Sequence, residues 1–158
     1  MERPDCVGID RLLDALAVRG RQQPGVPAII IDAGSAITVD WLDESGAFAG
    51  GSILPGVRLM ALALHDYTAL LPVVTLSRSD PPYPGTSTPA ALEIGILAAA
   101  VGGIQFLITQ MTQRAGVAPD VFLSGGDAAL LAPALKQPVQ LWPEMTLEGV
   151  RLAAEAIP

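Results

Sequence analysis

The stretch IIIDAGSAITVDWLDESGAFAGGSILPG, residues 29–56, decides how this chain folds. Three β-branched apolar residues run into Asp32 and a turn of small residues, and the next six residues alternate as a half-buried strand does. A polar turn leads to a third strand that ends in Gly50-Gly51, and the following residues lead towards a helix. The pattern predicts a strand, a tight turn, a second strand, a hairpin and a third strand.

Asp32 closes the first of these strands, and the carboxyl end of a strand is where ligands of open α/β sheets bind. Gly34 has no Cβ and lets a ligand approach the backbone, while Ser35 adds a hydroxyl and the turn amides can face an anion. An aspartate beside a phosphate normally acts through a cation, because two like charges repel. The alternative is a plain hairpin whose aspartate accepts turn hydrogen bonds, and the pattern alone leaves both open.

Composition limits the classes of function. The 158 residues are 51% hydrophobic and 16% charged, which predicts one folded domain over residues 1–158. The net charge of −7 argues against nucleic acid as a partner, because no basic stripe could neutralise phosphates. A single cysteine, Cys6, gives no disulfide framework and fits a cytoplasmic protein. Glycines and a glutamine interrupt the apolar run at 94–108, which favours a buried helix over a membrane span.

Two polar segments outside the opening stretch allow both a structural and a chemical interpretation. Asp10 could cap a helix over residues 12–19, or it could be a general base, with Arg11 gripping a carboxylate. Thr88 precedes Pro89 at the start of a long helix that extends to about Arg114, so it could cap that helix or hold a ligand at its positive end. The sequence leaves these alternatives open.

Further elements follow from periodicity and turn signals. The Ala- and Gly-rich body of the long helix permits close packing, either on a sheet or in a helix-helix dimer contact. A strand at 120–124 runs into Gly125-Gly126-Asp127 and a helix, which is a weak signal for a nucleotide site. The other predicted elements are helices at 57–70, 128–135 and 147–156 and a short strand at 139–142.

Taken together, these motifs resemble type III pantothenate kinases, which belong to the acetate kinase/sugar kinase/Hsp70/actin superfamily. Each segment alone is a weak signal, but the ordered set runs through nearly the whole chain. The matching segments are Gly8-Ile9-Asp10-Arg11, Asp32-Ala33-Gly34-Ser35-Ala36, Gly50-Gly51-Ser52-Ile53-Leu54-Pro55-Gly56, Thr68-Ala69-Leu70-Leu71-Pro72, Ser87-Thr88 with Gly95, Ser124-Gly125-Gly126-Asp127, and Leu147-Glu148-Gly149.

The resemblance implies phosphorylation of pantothenate by ATP, the first step of coenzyme A biosynthesis. In that case Asp10 is the base that takes the proton from the pantothenate hydroxyl, as phosphoryl transfer to a hydroxyl requires. Gly8, Ile9 and Arg11 line the substrate site together with Asp10, and Arg11 faces the substrate carboxylate. Thr88 contacts pantothenate from near the partner subunit of a homodimer that forms through the long helix.

The resemblance also implies cofactor sites. Asp32 holds the monovalent cation, potassium or ammonium, that the family requires. Gly34 and Ser35 contact the ATP phosphates, with Mg²⁺ as the nucleotide's counter-ion, and Gly125-Gly126 lies near the nucleoside. Ser35 stands where the family usually has threonine and keeps the hydroxyl.

One family feature has no match here. The family carries an N-terminal half of similar fold ahead of its G-x-D-R motif, opening with a D-x-G-N-T phosphate loop, whereas this sequence begins seven residues before Gly8. The chain therefore corresponds to the C-terminal half of such an enzyme, and a non-catalytic binding or dimerisation module is the alternative function. The expected fold is an RNase H-like (actin-like ATPase) α/β domain with a mixed sheet flanked by helices.

Overall fold

A computed structural model describes residues 6–156 and contains one five-stranded mixed sheet. The strand order is β3-β2-β1-β4-β5, in which the first three strands form an antiparallel meander and β4 runs parallel to both β1 and β5. The predicted mixed sheet is therefore confirmed. The strands are β1 (Ala28–Ala33), β2 (Ala36–Leu42), β3 (Phe48–Pro55), β4 (Asp120–Ser124) and β5 (Gln140–Leu141).

Helices cover both faces of the sheet, because side chains of a strand alternate between its two faces. Ile29 and Ile31 of β1 point into the core beneath α2 and α3, whereas Ile30 points into a second core with Val18 and Met145 from α1 and α5. The helices are α1 (Ile9–Arg19), α2 (Val57–Asp66), α3 (Thr88–Ala115), α4 (Ala128–Leu131) and α5 (Met145–Glu155), and a 3₁₀ turn follows α4 at Ala132–Ala134.

The 28-residue helix α3 packs on the sheet along one face only. By length and composition it is apolar enough to cross a membrane, but Ile96, Ala100 and Ile104 lie in the main core of this domain. Only 28% of its most apolar window is buried, and Phe106 is 62% exposed. The helix is thus part of the core, as the sequence predicts. Its opposite face is apolar and is not covered by the described residues.

Several predicted boundaries differ from the structure, among them the start of the first helix, which is Ile9 and not residue 12. The second helix ends at Asp66 and not near residue 70, and the third strand continues through Gly50-Gly51 as far as Pro55. Gly50, Gly51 and the four residues that follow them all pair with β2, so the ladder hydrogen bonds outweigh the weak strand propensity of glycine. The predicted helix at 128–135 is a single α turn that tightens into a 3₁₀ turn at Pro133.

Candidate functional site

The carboxyl ends of the parallel strands β1 and β4 lie side by side, and this brings two of the predicted motifs together. Asp32 pairs in register with Ser124, and the Asp127 amide donates a 2.9 Å hydrogen bond to the Ala33 carbonyl. The turns 33–36 and 125–127, which are about 90 residues apart in sequence, therefore form one edge of the sheet. This is the position at which ligands of α/β sheets bind.

Gly125 lies directly against the Asp32 carboxylate. Its φ of +97° favours glycine, and a Cβ there would lie 2.5 Å from Asp32 Oδ1 and would overlap the Ala33 carbonyl. Gly126, in contrast, is exposed and has open space where a Cβ would be. The first glycine of the pair is required by the backbone and by Asp32, whereas the second has a free surface.

The small-residue turn after β1 is held by its own hydrogen bonds. The Gly34 amide donates to the Ala36 carbonyl at 3.0 Å, so it is not available to an anion as the sequence suggested for the turn amides. Gly56, which caps the start of α2, donates from its amide to the Ser35 carbonyl at 3.2 Å. The Ser35 side chain is exposed, and its hydroxyl makes no hydrogen bond within residues 6–156. The hydroxyl is the polar group of this turn that a ligand can reach.

Asp32 is a half-buried carboxylate without a hydrogen-bond donor among the described residues. Burial raises its pKa, and the negative charges of Asp10 and Asp40 raise this pKa further. A cation beside Asp32 would favour its ionised form. No group of three or more His, Cys, Asp or Glu side chains in the described part of the chain could hold a metal ion, so a cation here would rely on one carboxylate and on carbonyl oxygens.

Asp10 lies in the first turn of α1 and is exposed. The helix begins at Ile9 with Gly8 as its N-cap, so Asp10 is not the N-cap. Its Oδ1 nevertheless accepts a 2.9 Å hydrogen bond from the Arg11 amide, one of the free amides of the first turn. The carboxylate keeps its second oxygen accessible at the positive end of the helix. Its position over the sheet lets its charge act on Asp32.

Arg11 has a partner that the sequence analysis missed. Its Nε donates to both carboxylate oxygens of Asp40 at 3.1 and 3.0 Å, and its Nη2 forms an ion pair with Asp40 Oδ1. The guanidinium also lies over the Phe48 ring, 5.6 Å from the centroid. The alternation in residues 37–42 groups Asp40 with Thr38 on the polar face of the strand, and nothing in that pattern indicates that Asp40 is only 1% exposed.

Thr88 lies at the start of α3. It is the first residue of α3, but the N-cap is Ser87, whose Oγ accepts from the Ala90 amide at 3.4 Å, so the predicted cap is one residue out. The Thr88 side chain is exposed, and no hydrogen bond joins it to residues 8–11 within the described chain. The described chain thus brings Asp32, Gly34, Ser35 and Gly125 together, and no hydrogen bond joins Thr88 to them.

Comparison with known proteins assigns this sequence to a family. The family model for type III pantothenate kinase matches residues 1–110. The chain belongs to the type III pantothenate kinase family. A type III pantothenate kinase of Gluconobacter oxydans is 36% identical over 98% of the chain, and that of Leptothrix cholodnii is 38% identical over 99%. The aligned regions make up 56% and 62% of those two proteins, so the chain spans about three fifths of the length of these relatives.

Solved structures agree with the predicted actin-like fold. A Campylobacter jejuni protein described as a Baf family transcriptional activator matches with a TM-score of 0.65 and 25% identity, over 96% of this chain and 66% of its own. The Alp12 filament protein (TM-score 0.62, 12% identity, 90% and 51% covered) and the xylulose kinase of Rhodospirillum rubrum (0.53, 18%, 92% and 40%) share the fold alone. The type III pantothenate kinase domain described here is thus an actin-like and sugar-kinase-like α/β domain.

Proposed function

We propose that this chain supplies the pantothenate-binding half of a type III pantothenate kinase, which transfers a phosphoryl group from ATP to the pantothenate hydroxyl in the cytoplasm. The observation that carries the proposal is the meeting of Asp32, the Ser35 turn and Gly125 at one sheet edge, with Asp10 of α1 close enough to raise the Asp32 pKa. Phosphoryl transfer depends mainly on positioning and on charge neutralisation, and this edge offers groups for both.

In this proposal Asp10 is the general base. Its exposed carboxylate can accept the proton of the attacking hydroxyl, while the neighbouring Arg11 receives the substrate carboxylate. Gly8 and Ile9 line the same substrate site ahead of the helix. Because Gly8 caps α1 without a side chain, the approach to the Asp10 carboxylate is not blocked from that side.

Asp32 would hold the monovalent cation, K⁺ or NH₄⁺. The fit rests on a half-buried carboxylate that has no donor of its own and that faces two further negative charges. The Ser35 hydroxyl would meet the ATP phosphates, with Gly34 beside it leaving room because it has no Cβ, and Gly125-Gly126 would meet the nucleoside. The described residues form no cluster for Mg²⁺, so Mg²⁺ would be held by ATP and by the family's N-terminal half.

The proposal includes a homodimer through α3, in which Thr88 contacts the substrate held by the partner. An apolar groove of about 620 Å³ lies between α2 and α3, and the exposed Phe106 extends the apolar surface along α3. Phe106→Asp should convert a dimer to a monomer in analytical ultracentrifugation. Leu147→Asp, a matched change at an exposed leucine of α5, should leave the dimer intact. Dimers in both variants would refute this interface.

The test of activity is an ATP- and K⁺-dependent pantothenate phosphorylation assay on two proteins. One is this chain, and the other is the same chain fused behind the N-terminal half that precedes the G-x-D-R motif in the family. Activity that Asp10→Asn abolishes, and that Asp66→Asn on the exposed end of α2 preserves, would support the proposal. No turnover in either protein, with a folded and dimeric chain, would support a non-catalytic dimerisation module instead.

A further inference from the structure

The pair formed by Arg11 and Asp40 is built into the sheet. Asp40 lies on β2 directly opposite Gly51 of β3, and a Cβ on Gly51 would overlap Asp40 Oδ1 and the neighbouring backbone. Gly51 therefore has a structural reason, because only glycine leaves room there for the carboxylate. Gly50 has open space around it, and its φ of +117° is what favours glycine. Asp40 of β2 thus contacts both Arg11 in the first turn of α1 and Gly51 of β3.

The two charges of this pair depend on each other. Asp40 is 1% exposed, and burial raises its pKa while the hydrogen bond from Arg11 opposes that rise. Arg11 in turn has its pKa raised, first by the hydrogen bond to Asp40. A buried charge is tolerated when it is paired and hydrogen-bonded in this way. The pair is therefore a fixed feature of the fold and not an exposed surface contact.

Asp40 occupies only one edge of the Arg11 guanidinium. Nε and Nη2 donate to Asp40, whereas Nη1 has no hydrogen-bond partner among residues 6–156. The Phe48 ring lies beside the same group at 5.6 Å. A guanidinium presents five donors in a rigid fork, so fixing one edge also fixes the direction of the remaining donors.

We propose that Asp40 is a positioning residue that holds one edge of Arg11, so that the free Nη1 donors receive the carboxylate of the substrate. The inference rests on the proposed function and adds Asp40, Gly51 and Phe48 to the residues that determine its specificity. Asp40 also reduces the positive charge that the substrate meets. The fixed geometry outweighs this loss, because a flexible arginine must give up its rotamer freedom each time it binds.

The test compares two ligands that differ only in the group Arg11 would receive: pantothenate, and pantothenol, in which CH₂OH replaces the carboxylate. Binding to the wild-type chain and to Asp40→Asn is measured by isothermal titration calorimetry, with thermal unfolding recorded for both. We expect Asp40→Asn to weaken pantothenate binding about tenfold, the usual effect of losing one charge-assisted contact, and to leave pantothenol unchanged. Phe48→Leu, which keeps an apolar side chain, serves if Asp40→Asn does not fold, and should weaken pantothenate alone by a smaller factor.

The outcomes separate the inference from the function on which it rests. An equal loss for both ligands means that Asp40 is merely structural, and tighter pantothenate binding means that it only lowers the local positive charge; either result overturns the inference while pantothenate binding stands. If the wild-type chain binds neither ligand, the proposed function fails and the inference fails with it.

Discussion

A buried aspartate beneath the site gives the sharpest prediction about stability. Asp14 of α1 is 2% exposed, and its Oδ1 accepts a 2.6 Å hydrogen bond from the Thr146 hydroxyl of α5. Burial raises the pKa of Asp14 from 3.8 to about 6, and the hydrogen bond from Thr146 opposes the rise. Because the pKa is raised in the folded state, the protonated form is favoured by folding. The stabilisation is complete below pH 3.8 and is lost as the pH rises through about 6.

The magnitude follows from linkage. Each tenfold difference in proton affinity is worth about 1.4 kcal/mol, so ionisation of Asp14 costs the fold about 3 kcal/mol at pH 7 and about 0.5 kcal/mol at pH 4. Asp14→Asn has the same shape and keeps an acceptor for Thr146, but it does not ionise. Relative to the wild type, this variant should therefore gain about 2 kcal/mol of unfolding free energy between pH 4 and pH 7.

Urea unfolding at several pH values between 4 and 7 measures this difference. Trp142 is a suitable fluorescence reporter, because it packs in the same core as Met145 beside α1 and α5. Thr146→Val removes the donor that favours the charged carboxylate, so in that background the loss of stability should be larger and should continue to higher pH. If Asp14→Asn is less stable than the wild type at pH 7 by the same amount as at pH 4, the reasoning from burial is refuted.

Three further changes test other parts of the structure. Gly125→Ala should lower the unfolding free energy by about 1 to 3 kcal/mol through backbone strain and overlap, whereas Gly126→Ala should have little effect; thermal unfolding compares the two, and equal effects would contradict the geometry. Ile104→Ala should cost about 2 to 5 kcal/mol in urea unfolding, because this fully buried side chain of α3 leaves a cavity against the sheet. Arg151→Ala should not change thermal stability measurably at 150 mM salt, because its ion pairs with two glutamates of α5 are exposed; a clear loss would show that they matter.

Local chemistry in the sequence predicts much of this fold. The alternation in residues 37–42 and the apolar run at 29–31 place their strands correctly, because one face or both faces of each strand are buried. The strand at 120–124 is predicted to the residue. One error lies at Pro55, where pairing with β2 decides the boundary and the local pattern does not show that neighbour. Another lies at Ser87, where two adjacent hydroxyl residues could each cap the helix.

The site is harder to predict than the fold, because its charges are arranged across elements. The motif pattern picks out Asp32 and Gly125 as candidates, but only the parallel pairing of β1 and β4 shows that Gly125 leaves room for the Asp32 carboxylate. Asp40 carries no motif, and it becomes visible only through its partner on α1.

The same physical demand explains both glycines that lie closest to the carboxylates of this sheet. A carboxylate held inside an α/β layer needs space on the neighbouring backbone as well as a compensating charge, because an unpaired buried charge is destabilising. Gly51 gives that space to Asp40, which Arg11 compensates, and Gly125 gives it to Asp32. Asp32 lacks a cationic side chain of its own among the described residues. If Asp32 holds a monovalent cation as proposed, that cation would compensate its charge as Arg11 compensates that of Asp40.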